Sequence, residues 1–209
     1  MRNGGTVGIV DYGMGNLRSV SKAIEHLGGT VYVGSDQKKL SRAAKLILPG
    51  VGAFGQAIQE LKKRRLMDVI LEFAERKKPL FGICLGLQLF FDSSAENPGV
   101  KGLGIWKGTV CGFNARKHPT LKIPHMGWNQ VSFKRRSLPI VAKLKDNGYF
   151  YFVHSYYAKP KDSRLICGET NYGIKFPALL GAENIFAVQF HPEKSQRLGL
   201  QILKNFIRL

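Results

Sequence analysis

The pentapeptide Gly82-Ile83-Cys84-Leu85-Gly86 sets one thiol between two glycines inside an apolar run. A cysteine in apolar company is ordinarily a small core residue. The flanking glycines argue instead for a crowded turn, and G-x-C-x-G where a strand passes into a helix is the thiol form of a nucleophile elbow. There the thiolate gains from the helix N-terminus, and the amide N–H of Leu85 points toward an oxyanion. A thiol nucleophile needs a base, and the base needs an orienting group. His191 ends the apolar run "FAVQF", and Glu193 follows two residues later. Pro192 favours an extended segment, in which side chains at i and i+2 share a face. The carboxylate can then hold one imidazole nitrogen while the other faces the cysteine. Taken alone, these residues also fit a surface His–Glu pair. His26 and His118 have no comparable neighbours, and His125 and His154 lie in strand-like runs that suit a structural role.

Alternating strands and helices must bring these distant groups together. "TVGIVDY" (6–12) reads as a strand, and 16–29 reads as a helix with Leu17, Val20, Ala23, Ile24 and Leu27 on its apolar face. "TVYVG" (30–34) and "AKLILPG" (44–50) are further strands. Residues 54–78 read as helix, broken near Arg65; "PLFGICLG" (79–86) is a strand running into a turn, and 85–94 a helix. This alternation implies a parallel sheet covered on both faces. Beyond about residue 103 the runs 102–113, 121–133, 148–158, 165–173 and 183–191 are strand-rich, and a final helix starts at Ser195 with Leu198, Ile202, Leu203, Phe206 and Ile207 inward. The expected fold class is α/β: a three-layer sandwich around a mostly parallel sheet with antiparallel strands added in the second half, as one domain, 1–209.

The 209 residues suffice for a sizeable core, and 44 % of them are hydrophobic, as in ordinary globular chains. No secretory h-region and no stretch near the roughly 20 apolar residues of a membrane span is visible, so a membrane is not expected. Cys84, Cys111 and Cys167 are odd in number, far apart and without a C-x-x-C pair, which fits a reducing cytoplasm and argues against a disulfide framework or a zinc site. The balance of 32 Lys+Arg against 14 Asp+Glu gives a formal charge of +18. Such a charge suits an anionic partner. The clusters 62–65, 76–78 and 134–136 nevertheless lack interleaved aromatics, and no nucleic-acid-binding signature accompanies them. They read as solvated surface charge, and nucleic acid is not the expected partner.

The segments "GICLGLQ" and "QFHPEKS" resemble the class I, triad-type glutamine amidotransferases. "DYGMGN" (11–16), "LPGVGAFG" (48–55), "NPGVKGLG" (97–104), "PHMGWN" (124–129) and "YFVHSYY" (151–157) resemble, more narrowly, the family of glutaminase subunits of imidazole glycerol phosphate synthase. The likeness spans essentially the whole chain. It implies that Cys84 attacks the glutamine side-chain amide and forms a glutamyl thioester, with His191 as base and acid and Glu193 holding its ring. It implies that Gly50, Val51 and Gly52, with Leu85, present backbone N–H groups to the oxyanion. Glutamine recognition would fall to Gly52, Gln88, Glu96, Ser155 and Tyr156. Glu96 would pair with the α-ammonium, and Ser155 with nearby backbone donors would bind the α-carboxylate. Asn16, Trp128, Tyr151 and Lys194 match positions that face a (β/α)8 cyclase subunit, the implied partner in a heterodimer, to which ammonia passes. No cofactor and no metal is implied. The chain departs from the family at Tyr157, where many relatives carry arginine. A paralogue serving a cyclase-like partner in another pathway, such as surface polysaccharide amidation, and a basic binding module with a vestigial triad remain open on the sequence.

Overall fold

The short β-branched and apolar runs of the first half form strands, and the runs of 3.6 periodicity between them form helices. A computed structural model describes residues 5–114 and 121–209. In chain order it runs β1 (Thr6–Val10), α1 (Leu17–His26), β2 (Thr30–Gly34), α2 (Gln37–Ser41), β3 (Lys45–Gly50), α3 (Phe54–Lys63), α4 (Met67–Glu75), β4 (Leu80–Cys84) and α5 (Leu85–Leu89). The second half continues with β5 (Ser93–Ser94), β6 (Gly108–Gly112), β7 (His125–Phe133), β8 (Gly148–His154), β9 (Tyr156–Pro160), β10 (Ile166–Tyr172), β11 (Ile174–Ala182), β12 (Ile185–Val188) and α6 (Gln196–Ile207).

A nine-stranded sheet has the order β2-β1-β3-β4-β12-β11-β10-β7-β8, and a second sheet the order β5-β6-β9. The pairings from β2 through β12 are parallel, and those from β12 out to β8 are antiparallel. Alternation along the strands splits the core in two. Leu46, Leu48 and Leu80 face the side covered by Ile58 and Leu61 of α3 and Ile70 and Phe73 of α4. Ile47, Phe81 and Ile83 face the side covered by Val20 and Ile24 of α1 and Ile202 and Phe206 of α6. The α3–α4 break falls where expected, with Arg65 at φ 55°.

Several boundaries differ from the sequence reading. Helix α5 stops at Leu89 instead of running to residue 94, because Ser93 and Ser94 turn to pair with β6. The run 148–158 is two strands, β8 in the large sheet and β9 in the small one, parted at Ser155. Strand β11 was not expected: Pro177 removes a ladder donor, and the sheet accommodates it opposite Glu169 next to a register shift. The five-residue α2, capped by Asp36 on the Lys39 amide, is too short to show a period.

The basic clusters lie mostly at the surface. Arg64 pairs with Glu60, Arg76 with Glu72, and Lys77 with Glu183, all between exposed or half-buried groups. Such pairs contribute about 0–1 kcal/mol each. Arg135 instead donates to the carbonyls of Arg164 and Gly181, and Lys78 to those of Ser41 and Ala43, so part of the excess charge braces loops. Among the described residues no helix is long and apolar enough to cross a membrane.

The glycines of the pentapeptide answer to packing. A Cβ on Gly86 would overlap the Leu48 carbonyl oxygen of β3, and one on Gly82 would stand 2.9 Å from the Gly86 carbonyl. Helix α5 can approach β3 and fold back on β4 only because both positions lack a side chain. Gly86→Ala is expected to cost about 1–3 kcal/mol, which lowers the thermal midpoint by about 2–4 °C per kcal/mol for a chain of this size. Calorimetry on the variant checks this, and an unchanged midpoint would contradict it.

Candidate active site

Cys84 is the last residue of β4 and the residue that opens α5, with φ 55° and ψ −106°. A non-glycine residue at positive φ is strained, and the turn holds it there by packing. Its side chain is 5 % exposed. In the parallel β3–β4 register Gly50 lies opposite Cys84, and in the β12–β4 register Val188 lies opposite Ile83. The loop after β3, the thiol and the segment after β12 therefore emerge together at the carboxyl ends of three neighbouring parallel strands. Ligands of open α/β sheets bind at such strand ends.

His191 arrives three residues after β12. Its Nδ1 lies 2.8 Å from Glu193 Oε1, and both side chains are almost wholly buried. The expected extended segment is not what joins them: Pro192–Lys194 is a 3-10 turn, and the turn itself folds the carboxylate back to the ring. Ser195 fixes the base from behind. Its hydroxyl donates to the His191 carbonyl at 2.6 Å and accepts from the Tyr151 amide at 2.9 Å, while the His191 amide donates to the Tyr151 carbonyl at 2.9 Å. Burial alone would lower the imidazole pKa. The Cys84 sulfur and the Glu193 carboxylate outweigh burial and raise it above the ordinary 6.5. His191 Nε2 has no hydrogen-bond partner of ordinary geometry among the described residues. Because the folded pKa lies above the unfolded one, this charge stabilises the fold fully below pH 6.5, and the contribution is lost as pH rises through the folded value.

Cys84 opens on a cavity of about 400 Å³ lined by Val51, Gly52, Leu85, Gln88, Glu96, Pro124, Val153, His154, Ser155 and Tyr156. All five residues expected to recognise substrate are therefore in its wall. Gln88 is buried and donates to the Tyr156 carbonyl at 3.0 Å and to Gln189 Oε1 at 3.2 Å. Glu96 Oε2 accepts from the Phe54 amide at 2.8 Å, and Asn97 Oδ1 from the Gly55 amide at 2.8 Å, so adjacent residues cap α3 and fasten it to the cavity rim. Gly52 stands at φ +97° in the loop after β3, a conformation suited to glycine. The Gly50–Val51–Gly52 segment lies beside Leu85, where a Cβ on Gly50 would come 2.9 Å from the Leu85 Cβ.

The residues expected at a partner surface fall in two places. Trp128, 46 % exposed, lies opposite Tyr151 across β7 and β8; their rings are 6.0 Å apart, and Lys194 Nζ is 5.8 Å from the Tyr151 centroid. Met126 and Tyr149 extend this exposed apolar face. Asn16 is the N-cap of α1 and accepts from the Ser19 amide at 3.4 Å. Tyr157 is packed against Phe113 and Phe176. His125 and His154 are buried and bonded to each other, and His118 lies outside the described residues. The sequence reading missed Gln189, whose Nε2 donates to Cys84 Sγ at 3.7 Å, and Asn97. A polar residue alone in the run "FAVQF", two before His191, was the available signal for Gln189.

The family model for glutamine amidotransferase class-I matches residues 8–209. The chain is 48 % identical to the imidazole glycerol phosphate synthase subunit HisH of Aquifex aeolicus, over 96 % of this chain and 95 % of that one. It is 45 % identical to the protein of the same name from Methanocaldococcus jannaschii, over 97 % and 99 %. Among solved structures, a glutamine amidotransferase superposes with a TM-score of 0.75 at 16 % identity, covering 97 % of this chain and 99 % of that chain. The PurLQS structure from Thermotoga maritima gives 0.71 at 18 %, over 97 % and 95 %. At such identities the two structures speak for the fold.

Glu193→Gln removes one of the two groups that raise the His191 pKa. The variant is expected to lower that pKa in a histidine NMR titration and to slow alkylation of Cys84 by iodoacetamide at neutral pH. An unchanged titration would contradict the pairing.

Proposed function

The chain belongs to the class I glutamine amidotransferase family, and we propose that it is the glutaminase subunit of imidazole glycerol phosphate synthase, an enzyme of histidine biosynthesis. The near full-length likeness to relatives of that name carries the reading. Cys84 on the wall of the cavity, with the buried His191–Glu193 pair whose imidazole it influences, supports it. Nothing favours the alternative of surface polysaccharide amidation.

In this reading the Cys84 thiol proton passes to His191 as Sγ attacks the side-chain amide carbon of glutamine. The C–N bond breaks, His191 delivers its proton to the leaving nitrogen, and ammonia departs from a glutamyl thioester. His191 then takes a proton from water, which attacks the thioester, and glutamate leaves with the thiol restored. Glu193 holds the imidazole and balances its charge. The Leu85 amide and an amide from Gly50, Val51 or Gly52 receive the oxyanion; one such donor contributes roughly 3 kcal/mol in a typical hydrolase. The cavity wall recognises the amino acid end, with Glu96 toward the α-ammonium and Ser155 and Tyr156 toward the α-carboxylate.

The ammonia passes to a (β/α)8 cyclase subunit, which makes imidazole glycerol phosphate and an aminoimidazole carboxamide ribotide. The exposed Trp128, with Tyr151 and Lys194, supports docking at the β7–β8 face, because exposed aromatics and cations anchor interfaces. Asn16, at the N-cap of α1, is a second contact with the cyclase in this reading. The whole chain acts as one domain, in the cytoplasm, as half of a heterodimer.

Glutamate release from glutamine, measured with and without the cyclase and its nucleotide, tests the reading. The chain alone is expected to be nearly inactive, partner with nucleotide to raise the rate, and Cys84→Ala to abolish it. Full turnover without a partner would contradict the proposal.

A further inference from the structure

The buried His125 and His154 take part in no step above, yet their hydrogen bonds resolve into a single direction. His154 Nδ1 lies 2.8 Å from the Tyr156 carbonyl, which only accepts, so Nδ1 carries the hydrogen. A neutral ring then leaves His154 Nε2 as the acceptor. The group 2.9 Å from it is His125 Nδ1, which must donate. His125 Nε2 in turn accepts from Asn129 Nδ2 at 3.2 Å, and the same amide donates to the Asn171 carbonyl at 2.9 Å. Burial pushes His154 down to about 3, with the charges of His125 and His191 adding to it against the Tyr156 bond, and pushes His125 down to about 4. Both rings are therefore neutral, as the directed chain requires. Their packing fixes them: His125 stacks on Tyr172 at 4.1 Å and on Phe152 at 4.8 Å.

The chain of donors ends on a carbonyl that the site itself uses. Tyr156 O also accepts Gln88 Nε2 at 3.0 Å; Gln88 continues to Gln189, and Gln189 to Cys84 Sγ. His154 lines the cavity beside Ser155, but both its nitrogens are engaged, so it is no second base. We propose that His125 and His154 are positioning residues of the glutamine pocket: a neutral, one-way relay from Asn129 that clamps the Tyr156 carbonyl and thereby sets the Ser155–Tyr156 wall and Gln88 behind the nucleophile. The role rests on the glutaminase reading. The relay starts on β7, the strand whose outward residues include Met126 and Trp128.

Two measurements test it. In the full chain, histidine nitrogen NMR is expected to find both rings as neutral Nδ1–H tautomers from about pH 6 to about pH 8. In the complex with cyclase and nucleotide, His125→Leu leaves His154 Nε2 without its donor and is expected to raise the glutamine KM about tenfold, with kcat changed by less than about threefold. His125→Asn keeps an amide donor near His154 and is expected to recover most of that loss. A general loss of stability would not separate KM from kcat in this way. An Nε2–H tautomer or a charged ring at His154, or an unchanged KM in His125→Leu, overturns the proposal. Should His125→Leu fail to fold, the wild-type tautomers decide. A wild-type complex that consumes no glutamine strikes the glutaminase reading and this role with it; wild-type turnover with an unaltered KM in His125→Leu strikes the relay alone.

Discussion

The site depends on how closely helix α5 approaches the backbone of β3. Gly86 has no side chain, so the Leu48 carbonyl can lie where a Cβ would be. That contact lets the chain reverse from β4 into α5 within one residue, and the residue left at the corner is Cys84, at φ 55°. The same contact draws Leu85 alongside Gly50. Two parallel registers, Gly50 with Cys84 and Val188 with Ile83, then deliver the glycine loop, the nucleophile and the base to one end of the sheet. A slip of one residue in either register would turn the side chains of that strand to the opposite face. The chemistry is thus a consequence of sheet order and of two positions where only glycine fits.

Burial gives the second constraint. Glu193 has one oxygen on His191 and another without a partner among the described residues, and its side chain is shielded from solvent. A carboxylate in that position is costly unless a cation stands beside it, and the imidazole is the group that can become one. The need to compensate Glu193 therefore favours the imidazolium, in line with the raised pKa of His191. Gln189 adds a donor toward the sulfur and Gln88 holds Gln189, so the nucleophile sits in a polar network inside an otherwise apolar core.

The parts of the site that were legible in the sequence are those whose cause is local. Glycines two residues either side of Cys84 mark an elbow, and Glu193 two residues after His191 marks an oriented base, although a 3-10 turn rather than an extended strand joins them. Alternating strands and helices before residue 100 gave the parallel half of the sheet. What stayed hidden depends on distant contacts. The chain changes sheets at Ser155 because β8 pairs with β7 while β9 pairs with β6, and no residue within 148–158 announces it. Strand β11 was masked by Pro177. Gln189 and Asn97 acquire their roles from partners 105 and 42 residues away. Nothing in the runs around His125 and His154 indicates the direction of their bonds, which is set by the Tyr156 carbonyl.

In the proposed reaction Cys84 carries the glutamyl group. Rapid acid quench of the complex during glutamine turnover, followed by mass spectrometry of the peptide that contains Cys84, tests it directly. A transient glutamyl adduct is expected on that cysteine, formed and lost at the rate of glutamate release and absent when glutamine is withheld. Turnover at full rate with no adduct at any time, or with the adduct on another residue, would contradict it.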